Sequence, residues 1–296
     1  MKVFVILISV FLVNLVFAQN RYQQIVETEY RGDTMVLIST KEPVTGIVYL
    51  ENKDDGFLME QQYVNGIING YSYTMSRGIK VAEYNFKNGK FHGVYRTWNE
   101  NGNLAVETNS VNGVSDGEFK YFYENGKLKI EGVYSMDKLN GNYNEYYESG
   151  KIKKTEFWKD GLLEGPSITF SENAANGLFV NKISYRAGKR HGKCQWFNEK
   201  GIIPGQLLCE ANYENGDQHG LTTWWHDNGQ ISKKAKYKNG QIDGIYRQWH
   251  SNGKKASIQK WKLGMSMNEK NWDEKGKIIK EEVPPPPPPV NLIDPD

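Results

Sequence analysis

The sequence predicts an all-β protein: an elongated, single-sheet antiparallel meander of tandem β-hairpin repeats of about 24 residues. Three observations indicate this fold. Glycine pairs of the form Gly-x-x-x-Gly recur at a nearly constant step, and aromatic residues keep fixed positions relative to them. No stretch shows the sustained 3.6-residue apolar period of an amphipathic helix. Two turns in each repeat leave two strands of about six to eight residues, an ordinary strand length.

The second glycine of each pair anchors a repeat. We predict that seven of these anchors are structural turn glycines, namely Gly93, Gly117, Gly141, Gly165, Gly192, Gly220 and Gly244. With the earlier anchors Gly46 and Gly70 they define nine units, and a worn tenth, over residues 45–282. One hairpin cannot bury its face in water, so neighbouring repeats must pair side by side. A β-propeller is the alternative, because two units could supply the four strands of a blade.

A further glycine follows most anchors by nine residues and usually has asparagine before it, as in Asn125-Gly126 and Asn252-Gly253. Asn-Gly between two strands is the strongest short signal for a type I′ hairpin turn. We therefore assign the type I′ turn to this position of the repeat.

Histidines occupy two positions of the repeat. His92, His191 and His219 directly precede an anchor glycine, where other repeats carry Asn, Asp or Glu. Because Asn, Asp and His tolerate left-handed backbone conformations, we interpret this slot as turn geometry and not as a metal or acid–base site. His226 and His250 follow tryptophans shortly before the second turn, and we interpret them as exposed residues that flank it.

The two ends of the chain lie outside the repeats. Residues 1–18 combine Lys2, an apolar run and small residues before Ala18, which predicts a secretory signal peptide cleaved near Ala18. An uncleaved anchor helix is the alternative, although the apolar run is short for a membrane span. We therefore expect the mature chain to be exported, to the periplasm, the outer-membrane surface or the medium.

Two terminal segments flank the repeats of the mature chain. Residues 19–44 are predicted to be a lead-in or cap before the first repeat. Residues 283–296 are predicted to be a proline-rich disordered tail, because Pro284–Pro289 favours extended polyproline II. A docking motif for a proline-recognition module is the alternative for the tail.

Cys194 and Cys209 flank a predicted hairpin turn around Gly201. An oxidising compartment permits a disulfide between them, provided that their Cα atoms lie within about 7 Å. Two buried free thiols in a packed sheet are the alternative.

Tyrosine and tryptophan side chains are the best candidates for binding. The candidate residues are Trp98, Tyr123, Tyr147, Trp224, Trp225 and Trp249. Aromatic residues in register across repeats stabilise a sheet by packing on one another. If one face of the sheet is open, the same row could stack on a glycan or on a protein partner.

Composition and motifs argue against several other functions. The sequence contains neither a phosphate-binding loop nor a nucleophile elbow, and we expect no catalytic residue, no cofactor and no metal site. A net charge of +2 does not indicate a nucleic-acid partner. Lysines such as Lys127, Lys129, Lys151 and Lys153 would keep the strands solvated, with a weak basic stripe toward anionic lipid as the alternative.

Two segments show the repeat most clearly: FKNGKFHGVYRTWNENGNL at residues 86–104 and YKNGQIDGIYRQWHSNGK at residues 237–254. This pattern resembles the MORN-type repeat, and is similar to its bacterial YwqK-like variant, which carries the antitoxin name. The resemblance implies an elongated β-sheet that serves as a protein-interaction or membrane-associated scaffold. The antitoxin name implies neutralisation of a toxin.

We therefore expect an exported, non-catalytic β-repeat protein whose sheet is an interaction or scaffolding surface in the cell envelope, with another protein as its partner. A surface that binds glycans or anionic lipid is one alternative, and an immunity protein against an exported toxin is the other.

Overall fold

A computed structural model describes residues 20–172, 179–199 and 204–279, which fall into two compact units. The smaller unit comprises the chain up to Gly102 together with Ser110–Gly113, and the larger unit comprises Asn103–Asn109 and the chain from Val114 onward. All regular structure in the described residues is β-strand. The predicted signal peptide and the predicted proline-rich tail lie outside the described residues.

The smaller unit begins with three short strands and continues with three hairpin repeats. Its strands are β1 (Arg21–Gln23), β2 (Thr28–Arg31), β3 (Thr34–Leu37), β4 (Gly46–Asn52), β5 (Phe57–Val64), β6 (Ile67–Ser76), β7 (Ile79–Lys87), β8 (Lys90–Phe91) and β9 (Gly93–Trp98). Strands β4 to β7 pair antiparallel with the next in the chain, and β7 also pairs with β9. The lead-in adds β1 parallel to β4, while β2 and β3 form a separate hairpin.

The larger unit repeats one motif, a strand of six residues, a strand of eight residues and a strand of two residues. Its strands are β10 (Leu104–Val111), whose last residues belong to the smaller unit, β11 (Val114–Ser115), β12 (Gly117–Phe122), β13 (Leu128–Ser135), β14 (Lys138–Leu139), β15 (Gly141–Tyr146), β16 (Ile152–Lys159), β17 (Leu162–Leu163), β18 (Gly165–Phe170), β19 (Phe179–Arg186), β20 (Lys189–Arg190), β21 (Gly192–Phe197), β22 (Leu207–Glu214), β23 (Asp217–Gln218), β24 (Gly220–Trp225), β25 (Ile231–Lys238), β26 (Gln241–Ile242), β27 (Gly244–Trp249), β28 (Lys255–Lys262), β29 (Met265–Trp272) and β30 (Ile278–Ile279).

Each long strand of the larger unit pairs antiparallel with the next long strand along the chain. In neither unit do the described strands close into a ring. The predicted antiparallel meander of tandem hairpins is therefore confirmed, and the propeller alternative is wrong.

Two kinds of turn alternate along the repeats. The short turns separate the eight-residue strand from the two-residue strand, and in several repeats they are Asn-Gly, as at Asn215-Gly216 and Asn239-Gly240. At Asn239 the φ angle is 49° and at Gly240 it is 78°, so both central residues have the left-handed conformation that a type I′ turn requires.

The long loops join the six-residue strand to the eight-residue strand, and here the predicted type I′ turn is wrong. In the loop at Asn125-Gly126 only the glycine has a positive φ angle, of 80°. The Gly126 N–H donates to the Tyr123 carbonyl at 2.9 Å, and the Tyr123 N–H donates to the Lys127 carbonyl at 2.8 Å. This is the three-residue loop in which a glycine bulge follows a type I turn.

The predicted turn glycines each begin a six-residue strand, one residue after a two-residue strand ends. All seven, Gly93, Gly117, Gly141, Gly165, Gly192, Gly220 and Gly244, have positive φ angles, between 77° and 130°. The anchor glycines therefore mark where the chain leaves the two-residue strand and enters the next repeat.

Each unit has its own hydrophobic core. The core of the smaller unit consists of Met35, Val44, Val48 and Tyr63, and the core of the larger unit consists of Ile183, Cys194, Ala211 and Tyr213. Met35 and Val44 come from the end of the lead-in, so that segment contributes to the packing of the first repeats. In the larger unit the ring of Phe119 covers Gly132, where a Cβ atom would lie 2.7 Å from the ring.

Candidate functional site

The long loops of the larger unit are fixed to one another by side chains that reach into the following repeat. The Tyr123 hydroxyl donates to the carbonyl of Tyr146 at 2.7 Å. The ammonium group of Lys127 donates to the carbonyl of Ser149 at 2.8 Å. The amide of Asn125 donates to the carbonyl of Glu148 at 3.2 Å. Three side chains of one loop therefore satisfy backbone carbonyls of the next.

The same arrangement recurs one repeat further along the chain. The Tyr147 hydroxyl donates to the carbonyl of Phe170 and the Lys151 ammonium to the carbonyl of Glu172, both at 2.8 Å. Because these bonds join successive repeats, they hold both tyrosine rings in a defined orientation at the loop margin.

Each of these tyrosine rings lies beneath a second lysine. The Nζ atom of Lys129 is 5.4 Å from the centre of the Tyr123 ring, and that of Lys153 is 6.0 Å from the centre of the Tyr147 ring. Such distances allow cation–π attraction. Lys153 also lies 3.5 Å from the Glu145 carboxylate. We refer to Tyr123, Tyr147, Lys127, Lys129, Lys151 and Lys153 as the Tyr–Lys row.

The environment of the row keeps the tyrosine hydroxyls protonated. Partial burial, followed by the nearby carboxylate of Glu148, raises the pKa of Tyr123 above its ordinary value. Partial burial, followed by the carboxylate of Glu199, does the same for the pKa of Tyr147. Both hydroxyls therefore remain hydrogen-bond donors to the backbone throughout the neutral range.

Histidine replaces tyrosine at this position in later repeats. The Nε2 atom of His226 lies 2.8 Å from the carbonyl oxygen of Trp249, and that of His250 lies 2.9 Å from the carbonyl oxygen of Trp272. Both side chains are half-buried. The interpretation of these histidines as exposed flanking residues is therefore wrong, because they make the same bond between repeats as the tyrosines.

The other histidine slot, before the anchor glycine, also has a different role from the one predicted. His92, His191 and His219 do not have positive φ angles, so the slot does not select for left-handed backbone. Instead, its side chain faces the next short turn. The Asn112 N–H points to Nδ1 of His92 at 3.4 Å, and the Ala187 N–H donates to the carboxylate of Glu164 at 2.9 Å. His92 and Glu164 therefore provide a hydrogen-bond acceptor in this slot, whereas the Nδ1 atoms of His191 and His219 have no hydrogen-bond partner among the described residues.

The remaining candidate aromatics lie apart from the Tyr–Lys row. In the smaller unit, Lys80 Nζ lies 5.5 Å from the centre of the Trp98 ring. In the larger unit, the Trp224 ring packs 6.5 Å from the Tyr237 ring, while Trp225 and Trp249 are half-buried at strand ends. Of the six candidates, Tyr123 and Tyr147 are thus the two that form one row.

Both cysteines are free and buried. Strand pairing places Cys194 opposite Ala211 and Cys209 opposite Trp196, so the two cysteines are diagonal neighbours. Diagonal Cα atoms on paired strands are about 7–8 Å apart, which exceeds what a disulfide usually spans. Burial raises the pKa of Cys209 to about 12, so this thiol stays protonated. Gly201, the predicted centre of the turn, lies outside the described residues.

In residues 20–172, 179–199 and 204–279, no group of three or more His, Cys, Asp or Glu side chains is arranged to hold a metal ion. Within the same part of the chain there is no helix of the length and apolarity needed to cross a membrane.

Comparison with known proteins identifies the repeat. The family model described as "MORN repeat variant" matches residues 91–112, 115–135, 139–160 and 218–239. No curated protein matches the chain. The first three matches are consecutive repeats, and they include Tyr123 and Tyr147 with their lysines. MORN repeats in general mediate interactions with proteins or membranes. These four segments are similar to the MORN repeat variant.

Proposed function

We propose that the chain is an exported, non-catalytic scaffold of the cell envelope whose Tyr–Lys row binds another protein. One observation carries this proposal. The bonds between loops fix Tyr123 and Tyr147 in equivalent orientations, each beneath an exposed lysine, so two consecutive repeats present the same chemical group.

The spacing of the row indicates the kind of segment that would fit it. Successive repeats are two strands apart, which is about 10 Å. An extended peptide in the polyproline II conformation has three residues per turn and advances about 3.1 Å per residue, so every third residue lies on one side and would meet an equivalent position. The row contains four lysines, the Glu145 carboxylate lies 3.5 Å from Lys153, and the carboxylates of Glu148 and Glu199 lie near the two tyrosines. A segment of this kind with a hydrogen-bonding side chain at every third position is the partner that this surface fits best.

A charge-reversal experiment tests the proposal. The mature chain, a variant with Lys129→Glu and Lys153→Glu, and a control with Lys159→Glu and Lys238→Glu are used to capture envelope proteins. Lys159 and Lys238 are exposed and lie at the short turns, so the control makes the same change of charge at the other margin of the repeats.

The proposal predicts a protein that the mature chain and the control retain and that the Tyr–Lys variant loses. Retention by all three proteins would place binding elsewhere. Recovery of no protein above background by the mature chain would count against the interaction role itself. An immunity role within the YwqK-like group is a narrower form of the proposal, in which the captured protein would be a toxin.

A further inference from the structure

The smaller unit contains a cleft of about 480 Å³, and all of its lining residues belong to that unit. The hairpin of β2 and β3 supplies one wall, through Tyr30 and Asp33. The repeats supply the other, through Tyr63, Ile67 and the short turn at Asn88 to Lys90. Ligand-binding clefts of proteins commonly have volumes of about 300–1,000 Å³.

The walls of the cleft are held together closely. The Met35 N–H donates to the carbonyl of Gly66 at 2.8 Å, and the Gly66 N–H donates to the carbonyl of Val44 at 2.7 Å. A Cβ atom at Gly66 would lie 2.3 Å from Cγ2 of Thr34, so only glycine allows this approach. The hydroxyls of Tyr30 and Tyr63 are 2.8 Å apart. The hairpin is thus fixed against the repeats, and the cleft is preformed.

Polar side chains without partners converge on this cleft. Within the described part of the chain, the Asp33 carboxylate, the Asn88 side-chain amide and the Lys90 ammonium make no hydrogen bond or ion pair. Asn88 has a φ angle of 50° in its short turn, so the turn fixes its backbone while its amide stays available. Tyr30 is 57% exposed and Ile67 is 44% exposed, and they provide an apolar surface beside these groups.

We propose that this cleft binds a neutral pyranose sugar, the terminal unit of a glycan. A pyranose has hydroxyls that both donate and accept, which suits a carboxylate, an amide and an ammonium together. Its apolar ring face suits the Tyr30 ring and Ile67. The charges of Asp33 and Lys90 cancel, so the cleft has no net attraction for an ion. This site is independent of the proposed protein interaction, because the Tyr–Lys row belongs to the other unit.

Amide NMR of the mature chain tests the proposal. Methyl β-glucoside, methyl β-galactoside and methyl N-acetyl-β-glucosaminide are titrated separately, with L-leucine as a zwitterionic probe. We expect saturable shifts at Gly32 and Gly89, which line the cleft, with at least one of the glycosides. Asp33→Ala and Asn88→Gly should each weaken that binding about tenfold, since each removes a side chain that hydrogen-bonds the sugar.

Asn239→Gly is the matched control, because Asn239 occupies the same type I′ position in a repeat of the larger unit. Glycine keeps the turn in both variants, and equal unfolding midpoints would show that both are folded. Binding should be weakened by Asn88→Gly and unchanged by Asn239→Gly. The proposal is overturned if no glycoside shifts Gly32 and Gly89, if leucine shifts them and the glycosides do not, or if the two glycine variants bind equally well.

Discussion

The short turns and the long loops contain the same dipeptide, Asn-Gly, and use it in different ways. At Asn239-Gly240 the asparagine backbone is left-handed and its side chain makes no hydrogen bond in the described part of the chain. At Asn252-Gly253 the asparagine has an ordinary backbone, and its side chain donates to the carbonyl of Glu274 at 2.9 Å. Its oxygen also accepts from the Lys254 N–H at 3.0 Å. The short turn needs asparagine because its backbone tolerates a positive φ angle. The long loop needs asparagine because its side-chain amide donates a hydrogen bond to the next loop.

The largest expected difference follows from a β-branched substitution at each site. Asn239→Val would place a β-branched residue at a φ angle of 49°, and we expect a cost of about 2–3 kcal/mol. Asn252→Val loses hydrogen bonds without backbone strain, and we expect a cost of about 1 kcal/mol. Urea unfolding of both variants measures the free energies. Equal losses of unfolding free energy at Asn239 and Asn252 would mean that valine does not strain the short turn more than the long loop.

Substitution by glycine should reverse which of the two sites loses more unfolding free energy. Asn239→Gly preserves the type I′ turn, and we expect the free energy of unfolding to change by less than about 0.5 kcal/mol. Asn252→Gly removes both bonds of the asparagine side chain and gives the unfolded chain more backbone freedom, and we expect a loss of about 1–2 kcal/mol. The same urea experiments measure this effect. A larger loss at Asn239 would contradict the assigned roles.

A smaller effect is expected from the tyrosines that join the long loops. Tyr147→Phe removes the hydroxyl that donates to the carbonyl of Phe170, and we expect a loss of about 1 kcal/mol in the free energy of unfolding. Tyr84→Phe is the matched control, because the Tyr84 hydroxyl makes no hydrogen bond within residues 20–172, 179–199 and 204–279. A change at Tyr84 as large as that at Tyr147 would refute the stabilising role of the bond between loops.

The smallest expected effect is a dependence on alkaline pH. The pKa values of Tyr123 and Tyr147 are raised in the folded chain, mainly by burial, so folding favours their protonated hydroxyls. This contribution is complete below the ordinary tyrosine pKa of about 10 and is lost as the pH rises through the folded pKa values. Stability should therefore fall above about pH 10, and less steeply in the Tyr147→Phe variant. Identical slopes for the two proteins, measured by urea unfolding from pH 8 to 11, would be the contrary result.

The sequence is sufficient to predict the strands but not the roles of the turns. Regular spacing of Gly117 and Gly141, with aromatics in register, correctly predicts antiparallel hairpins. The dipeptide Asn-Gly is locally identical in both turns. From the dipeptide alone the type I′ turn is predicted in the long loop, whereas the structure has it in the short turn. The two differ in whether the asparagine amide reaches a carbonyl of the next repeat, which the local sequence does not show. The acceptor role of His92 was missed for the same reason.

The cleft in the smaller unit was also not predicted. The lead-in has no repeat to compare it with, so no column of residues indicates where Tyr30 and Asp33 lie. One signal was present: Gly32-Asp33 stands between two runs of strand-forming residues, which is typical of a hairpin turn. The contact of that hairpin with Gly66 depends on tertiary packing, which a local pattern does not contain.

Exchange of asparagine side-chain amide protons with solvent tests the central difference most directly. In the larger unit, the Nδ2 protons of Asn125 and Asn252 donate to carbonyls of the next loop, whereas those of Asn215 and Asn239 have no acceptor in the described part of the chain. The structure predicts slow exchange for Asn125 and Asn252 and fast exchange for Asn215 and Asn239. Equal rates at all four side chains would contradict the account.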